Sequence, residues 1–357
     1  MSRVRIGVVG VGALGRHHAR ILGELDSVEL VGVADSDAEQ ARAIAEQCHT
    51  QCMHDYRELI GHVDAVSIAV PTSVHLPVGS EFLKREIPVL IEKPLAGCVS
   101  EARQLVDLAE KSGALLQVGH IERFNPAMQV AQRAIGTAKY IRCERVSPYA
   151  FRSTDIGVVH DLMIHDIDLV LSLVDSPVKS VEALGLCVMG GHEDSVQARV
   201  CFESGCIADL TASRVNRSAH RTMQVWSTTG CVNVDFTSRD VVSIVPTETL
   251  LYGTSPLEKA RQPGTDIEAL KAKIFETYLR VVEPPVSSAD ALTAELSSFV
   301  DCVSTGTAPL VSGREALAAL EVAEQVIECV ATHQWDGHAE GAIGPHARFT
   351  VEQRKAG

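Results

Sequence analysis

The feature that most constrains the fold of this chain is a glycine-rich turn close to its start. The segment GVGALG at residues 10–15 follows the apolar run Val4–Val9 and leads into a helical stretch that extends to about Gly23. The first glycine allows a tight turn, the second leaves room for a pyrophosphate, and the third lets helix and strand pack closely. Since a helix N-terminus also favours an anion, the segment predicts a dinucleotide-binding strand–turn–helix unit.

An acidic residue at the end of the next apolar strand supports the same interpretation. Asp35 follows Val28–Ala34 and comes 20 residues after Gly15, without an Arg or Lys beside it. A carboxylate in this place accepts hydrogen bonds from ribose hydroxyls and repels a 2′-phosphate, so we expect NAD rather than NADP. The residues expected at the dinucleotide from this part of the chain are Gly10, Gly12, Ala13, Leu14, Gly15 and Asp35. The alternative is a structural glycine turn followed by an aspartate that caps the helix Ala38–Gln47.

The order of strands and helices divides the chain into two parts. Further apolar strands at 64–70, 88–91 and 115–119 alternate with helical stretches. This alternation predicts a doubly wound parallel sheet over about residues 1–120. Between about 139 and 246 the strands are longer and alternate in polarity, which predicts a mostly antiparallel sheet.

The predicted elements place domain limits at 121 and 332. The length of 357 residues agrees with two domains, because a domain takes about 100–200 residues. We predict an α/β domain over 1–121, an α+β domain over 122–332 and a loosely ordered tail, rich in Gly and His, over 333–357. Within the second domain we expect tight turns at 203–205 and 228–230, a long loop at 251–266 and helices at 160–173, 288–304 and 313–331.

Charge and composition exclude several classes of function. The net charge is −14 and aromatic residues make up 4% of the chain, so neither nucleic acid nor an anionic membrane surface is an expected partner. No apolar run approaches the roughly 20 residues that cross a bilayer, and no signal-peptide pattern is evident. The ten cysteines are scattered in apolar segments, which is typical of free thiols in the cytoplasm. The Cys and His cluster at 48–54 matches no usual zinc spacing, so no metal is expected.

A lysine is predicted at the edge of the first sheet. Glu92-Lys93-Pro94 directly follows the apolar strand 88–91, so Lys93 lies at the carboxyl end of that strand, where open α/β sheets bind ligands. Pro94 restricts Lys93 to an extended conformation and so limits where its ammonium group points. The alternative is an ordinary surface lysine in a turn.

A second chemical cluster is the segment HDLMIHDID at residues 160–168. In a helix, Asp161 and His165 are four residues apart and share a face. An imidazole beside a carboxylate is an oriented base that titrates near neutral pH, which suits general acid–base catalysis. The alternative is a capping aspartate together with a hydrogen-bonded core histidine.

Together these residues resemble the glucose–fructose oxidoreductase and inositol dehydrogenase family, called Gfo/Idh/MocA, over about residues 3–330. The resemblance rests on the three glycines, Asp35, the segment VPTSVH at 70–75, the Glu-Lys-Pro motif and the Asp and His at 161 and 165. It implies an N-terminal Rossmann domain and a C-terminal domain whose open, mostly antiparallel sheet mediates homodimer or homotetramer contacts. It also implies oxidation of a sugar or polyol hydroxyl with a nicotinamide cofactor, and a Lys93–Pro94 peptide bond that is often cis. By position, the catalytic residues are Lys93, Asp161 and His165, and further cofactor contacts are Pro71, Thr72, His75, Glu92 and Lys93.

A narrower resemblance is to members of this family that oxidise C3 of UDP-N-acetylglucosamine, in the synthesis of surface polysaccharide or lipid A precursors. It rests on the segments 118–127 and 145–168. The substrate contacts that it implies are Lys93, Arg123, Asn125, Arg152 and His165, and the two arginines suit a diphosphate. Alternative interpretations are a dehydrogenase of inositol or an aldose, and a dinucleotide-binding regulator without catalysis.

Overall fold

A computed structural model describes residues 3–151, 156–189 and 191–333 of the chain. It consists of two compact units. The first unit contains the chain as far as Phe124 together with Ala289–Glu324, and the second contains Asn125–Ser288 and the chain from Gln325 onward.

The elements, in chain order, comprise 14 strands and 11 α-helices among the described residues. The strands are β1 (Val4–Val9), β2 (Val28–Ala34), β3 (Gln51–Met53), β4 (Ala65–Ile68), β5 (Val89–Glu92), β6 (Leu116–Gly119), β7 (Ala138–Val146), β8 (Val178–Leu186), β9 (Ser195–Phe202), β10 (Ile207–Ser213), β11 (His220–Ser227), β12 (Gly230–Asp235), β13 (Asp240–Pro246) and β14 (Leu279–Val282). The helices are α1 (Gly15–Glu24), α2 (Ala38–Gln47), α3 (His75–Leu83), α4 (Val99–Ser112), α5 (Pro126–Ala134), α6 (Ile164–Leu173), α7 (Glu248–Tyr252), α8 (Pro256–Ala260), α9 (Ile267–Ala272), α10 (Ala291–Thr305) and α11 (Gly313–Thr332).

The first unit is built on a six-stranded parallel sheet in the order β3-β2-β1-β4-β5-β6. The strand order reverses next to β1, and ligands of open α/β sheets bind at such a reversal. The predicted doubly wound parallel sheet is therefore confirmed. The apolar runs form buried strands, and Asp37 begins α2 by accepting the backbone N–H groups of Glu39 and Gln40.

The division of the chain differs from the predicted domain limits in one respect. The predicted limit at 121 is close to the first division at Phe124, but Ala289–Glu324 belongs to the first unit and not to the second. The reason is the apolar face of α10, whose Leu296 and Phe299 are fully buried in one core with β1. The periodicity of a helix shows that it has an apolar face, but not which sheet that face covers.

The second unit contains an eight-stranded sheet in the order β14-β13-β12-β11-β7-β10-β9-β8. Its neighbouring strands are antiparallel except for β7 and β10, which are parallel, so the predicted mostly antiparallel sheet is confirmed. Gly205 lies in the turn between β9 and β10, and Gly230 is the first residue of β12, directly after the turn from β11; both have positive φ. Helices α5 and α6 pack against strands of this sheet.

Two predicted segments have a different outcome. The predicted loop at 251–266 is partly helical, since it includes the end of α7 and all of α8. A capping box between Ser255 and Glu258 stabilises the first turn of α8. The predicted tail lies outside the described residues except for His333. Along the ranges that the structure describes, no helix combines the length and apolar character of a membrane span.

The buried Glu295 on α10 gives a testable pH dependence of stability. Burial, and secondarily the negative charge of Glu92, raises the pKa of Glu295 well above its ordinary value. The folded protein therefore holds this proton more tightly than the unfolded chain does, and the free energy of unfolding falls as pH rises above about 4.5. We expect Glu295→Gln to reduce this fall, by up to about 1.4 kcal/mol per pH unit.

The measurement is urea unfolding between pH 5 and 9. The matched control is Asp301→Asn, a change of an exposed carboxylate on the same helix, which should leave the pH dependence as it is. An unchanged slope in Glu295→Gln would show that Glu295 is ionised in the folded protein.

Candidate active site

Of the three glycines in the turn, Gly12 is the one whose lack of a side chain is not required by contacts within the protein. Gly10 has a φ of 81°, and a Cβ there would approach the carbonyl oxygen of Ala69 to 2.7 Å. A Cβ at Gly15 would overlap the carbonyl oxygen of Gly10. Around Gly12, by contrast, nothing lies within 4 Å of such a Cβ. The fold itself therefore requires Gly10 and Gly15, whereas the open space at Gly12 fits a pyrophosphate.

The start of α1 and the end of β2 complete this part of the site. Leu14 begins α1 without a side-chain cap, and the first turn of the helix has no acidic residue. Its positive dipole end is therefore open to an anion. Asp35 accepts the N–H of Val11 at 2.8 Å through Oδ2, and that of Asp37 at 2.9 Å through Oδ1. The structure thus brings Asp35 to the glycine turn, and the residues present fit a dinucleotide.

Lys93 lies directly after β5, at the carboxyl edge of the parallel sheet, as predicted. The Lys93–Pro94 peptide bond is cis. The backbone N–H of Lys93 donates to Glu92 Oε2 at 3.2 Å, and the Lys93 side chain is half-buried.

The segment 70–75 is bound to the chain that follows Lys93. His75 is buried, and its Nδ1 lies 3.0 Å from the carbonyl oxygen of Pro94 and 3.3 Å from that of Leu95. Its Nε2 lies 3.0 Å from the carbonyl oxygen of Val70. Burial lowers the pKa of His75, against the opposing effect of these carbonyl groups. His75 therefore joins the turn after β4 to the turn after β5, while Pro71 and Thr72 lie in the former turn at the surface of the first unit.

A histidine that the sequence analysis did not single out lies near Lys93. His120, the residue after β6, is fully buried, and burial together with the positive charges of Lys93 and Arg123 lowers its pKa to about 3. The imidazole is therefore neutral at physiological pH. The sequence indications of this residue were its place directly after a predicted strand of the parallel sheet and its presence in the segment 118–127.

The three predicted substrate contacts outside the catalytic set have different outcomes. Arg123 donates to the carbonyl oxygen of Leu310 and to Glu315, both at 3.0 Å. Asn125 begins α5, where its side chain accepts the N–H of Ala127 at 3.0 Å. Arg152 lies outside the described residues. Arg123 and Asn125 thus have partners within the protein, and contact with a substrate stays a prediction for all three.

Asp161 and His165 belong to the second unit and lie at the start of one buried helix. The sequence predicted a regular helix, but Val159–Met163 forms a π-helical turn that continues into α6. Such turns are frequent at functional sites. His165 is the one partly exposed residue between Leu162 and Val170, a stretch that the structure describes throughout. Asp161 is also partly exposed, so both polar side chains reach the surface of this unit.

Buried ion pairs fix the helix and the chain before it. Arg145 on β7 makes a bidentate pair with Asp166 on α6, with distances of 2.8–3.2 Å and both side chains buried. Arg214 pairs with the buried Asp194 at 2.7 Å and donates to the carbonyl oxygen of Ile156 at 2.9 Å. Both pairs are expensive to break from one side, because a buried charge would remain.

The open space at Gly12 gives a test that separates binding from folding. We expect Gly12→Ala to leave the melting temperature of the protein without cofactor unchanged, while NAD affinity falls at least about tenfold because the methyl group occupies the place of the pyrophosphate. The measurements are thermal unfolding and calorimetric titration with NAD. Gly15→Ala is the comparison, since its Cβ overlaps the protein itself and should lower the melting temperature. Unchanged NAD affinity in Gly12→Ala would show that the pyrophosphate of NAD does not bind at this turn.

Family models match both parts of the chain. The model described as an oxidoreductase family with an NAD-binding Rossmann fold matches residues 4–120. The model described as the GFO/IDH/MocA C-terminal domain matches residues 128–233.

Similar proteins agree with these matches. The UDP-N-acetylglucosamine 3-dehydrogenase of Acidithiobacillus ferrooxidans is 32% identical over 323 residues, which are 89% of this chain and 96% of that protein. A solved structure of that enzyme has a TM-score of 0.80 and the match covers 92% of this chain and 98% of the other. The scyllo-inositol 2-dehydrogenase (NAD(+)) of Bacillus subtilis is 26% identical over 341 residues, which are 90% of this chain and 92% of that protein. The chain therefore belongs to the Gfo/Idh/MocA family of NAD-binding oxidoreductases and is an NAD-dependent dehydrogenase that acts on CH–OH groups.

Proposed function

We propose that the enzyme oxidises the C3 hydroxyl of UDP-N-acetylglucosamine to a ketone. The observation that carries this proposal is the similarity to the Acidithiobacillus ferrooxidans enzyme over nearly the full length of both chains. The presence of Lys93, Asp161 and His165 supports catalysis rather than binding alone.

The proposed roles follow from the chemistry of the side chains. NAD, when bound, would supply the acceptor for the hydride that leaves the carbinol carbon. His165 accepts the hydroxyl proton as the general base, and Asp161 orients its imidazole and stabilises the imidazolium that forms. The ammonium of Lys93 donates to the reacting oxygen and stabilises its developing negative charge.

The cofactor and the nucleotide sugar share only Lys93 in this proposal. The turn residues Gly10, Gly12, Ala13, Leu14 and Gly15 would hold the pyrophosphate of NAD, and Asp35 would accept from its ribose. Pro71, Thr72, His75 and Glu92, with Lys93, would contact its nicotinamide end. Arg123, Asn125 and Arg152, with Lys93 and His165, bind the substrate. Of the two arginines, Arg123 already pairs with Glu315, so binding of the diphosphate by Arg123 would have to compete with that pair.

Assembly and location belong to the same proposal. We expect a homodimer or homotetramer formed through the eight-stranded sheet, and a cytoplasmic enzyme. The product, a 3-keto nucleotide sugar, suits a pathway that makes surface polysaccharide or lipid A precursors.

One other substrate class has support of its own. The similarity to the Bacillus subtilis scyllo-inositol dehydrogenase covers nearly the same share of this chain, at 26% identity. Oxidation of inositol, or of a related polyol or aldose, is therefore the second candidate function.

The test is a panel of substrates in which the formation of NADH is measured for each one. We expect NAD reduction with UDP-N-acetylglucosamine, increased by a ketone trap, and not with myo-inositol or scyllo-inositol at the same concentration. His165→Ala should lower kcat by about 100-fold or more, because a general base contributes about 10²–10⁴ in rate, and should keep NAD affinity. Oxidation of an inositol alone would replace the proposed substrate. NAD binding without turnover of any member of the panel would favour a dinucleotide-binding regulator.

A further inference from the structure

A buried chain of polar side chains leads from the interior of the first unit to Lys93. Its members are Ser67 on β4, His18 on α1 and Glu92 at the end of β5. Ser67 and His18 are fully buried, and Glu92 is 9% exposed. None of the roles assigned above uses His18 or Ser67.

Successive contacts connect Ser67 to His18, His18 to Glu92, and Glu92 to the backbone of Lys93. His18 Nδ1 lies 2.8 Å from Ser67 Oγ, and its Nε2 lies 3.2 Å from Glu92 Oε1. When the Ser67 hydroxyl donates to Nδ1, the imidazole carries its proton on Nε2, where it faces the carboxylate. The other oxygen of Glu92, Oε2, accepts the backbone N–H of Lys93 at 3.2 Å.

The neighbouring strand β6 leaves space for the Glu92 carboxylate, because it has a glycine beside it. Gly119 is the register partner of Glu92 in the parallel sheet, and a Cβ at Gly119 would lie 2.8 Å from Glu92 Oε1. The carboxylate therefore lies directly over the backbone of β6. A buried carboxylate needs polar neighbours, and Nε2 of His18 is one of them, 3.2 Å away on α1.

We propose that His18 is a positioning residue for Lys93, acting through Glu92. The proposal rests on the proposed function only in giving Lys93 a role in catalysis. Without the imidazole, the Glu92 carboxylate loses a polar neighbour on α1 and is held less firmly at the Lys93 backbone. A displacement of a catalytic group by about 1 Å can lower a rate by about 100-fold.

Several titratable groups surround Glu92 and Lys93 and enter any pH measurement here. From the elements packed around them, these groups are His18 from α1, His75 from α3, His120 and Arg123 from the chain after β6, Glu295 from α10 and Glu315 from α11. Of these, the variants below alter only His18. A change in the behaviour of Lys93 can therefore be traced to the one substitution.

The experiment compares two variants of His18 with a neighbour on the same helix. His18→Leu removes both ring nitrogens, His18→Gln keeps an N–H donor, and the control His17→Gln changes an exposed histidine. We expect His18→Leu to lower kcat at least tenfold, His18→Gln to lower it less, and His17→Gln to leave it unchanged. Thermal unfolding of all three variants distinguishes positioning from a general loss of folded protein.

A second measurement does not depend on turnover. Lysine amines labelled by reductive ¹³C-methylation report their titration by NMR, and the signal absent from Lys93→Arg identifies Lys93. We expect His18→Leu to move the titration midpoint of the Lys93 amine by about half a pH unit or more, because Glu92 no longer holds its charge in place. His17→Gln should leave that midpoint unchanged.

The outcomes separate this proposal from the proposed function. Wild-type kcat and an unmoved Lys93 titration in His18→Leu would overturn the role of His18 and leave the function standing. If the wild-type protein oxidises no member of the substrate panel, the Lys93 titration alone decides the role of His18. If His18→Leu does not fold, Glu92→Gln replaces it, and an unmoved Lys93 titration in that variant would equally contradict the proposal.

Discussion

The close packing of α1 on β1 is the constraint from which the rest of the first unit follows. A side chain at Gly15 would overlap the carbonyl oxygen of Gly10, so the helix can approach the strand only because this position is glycine. The approach directs the N-terminus of α1 to the carboxyl edge of the sheet, where an anion is stabilised. One turn further along, it brings His18 into the core beside Ser67 and Glu92. Cofactor binding and the environment of Lys93 thus depend on one helix–strand contact.

In the second unit, a segment with polar residues lies at the start of the buried helix α6. The π-helical turn Val159–Met163 changes the direction of the side chains at the point where Asp161 is placed. The bidentate pair between Arg145 and Asp166 fixes the helix to β7 in the interior of the unit. A charge pair in an apolar environment adds little stability overall, but it permits few alternative arrangements once formed.

Much of the fold could be predicted from the sequence, because the strands of the first sheet are continuous apolar runs and those of the second alternate in polarity. The strands β1 and β2 and the helix α2 have the predicted bounds, the last because Asp37 caps it. The position of α10 could not be predicted, since an apolar helix face fits any open core. The π-helical turn was missed because the order of polar and apolar residues in 160–168 fits a regular helix equally well.

The candidate site was predictable to a lesser extent, for a physical reason. Motifs identify residues that are expected to meet a ligand, and these included the glycine turn, Asp35 and Lys93, which the fold places at one edge of the sheet. Motifs do not identify buried polar residues such as Glu295 and His120, which composition rules place at the surface. His18 offered one sequence indication, because it shares a helix face with Ile21 and Leu22, three and four residues later.

The central claim is that the bond broken in the substrate is the C–H bond at C3 of the sugar. The most direct measurement uses UDP-N-acetylglucosamine that carries deuterium only at C3, with mass spectrometry of the nicotinamide product. We expect one deuterium to appear in NADH and the chemical step to be slower than with the unlabelled sugar. Deuterium retained in the sugar while NADH forms would contradict oxidation at C3.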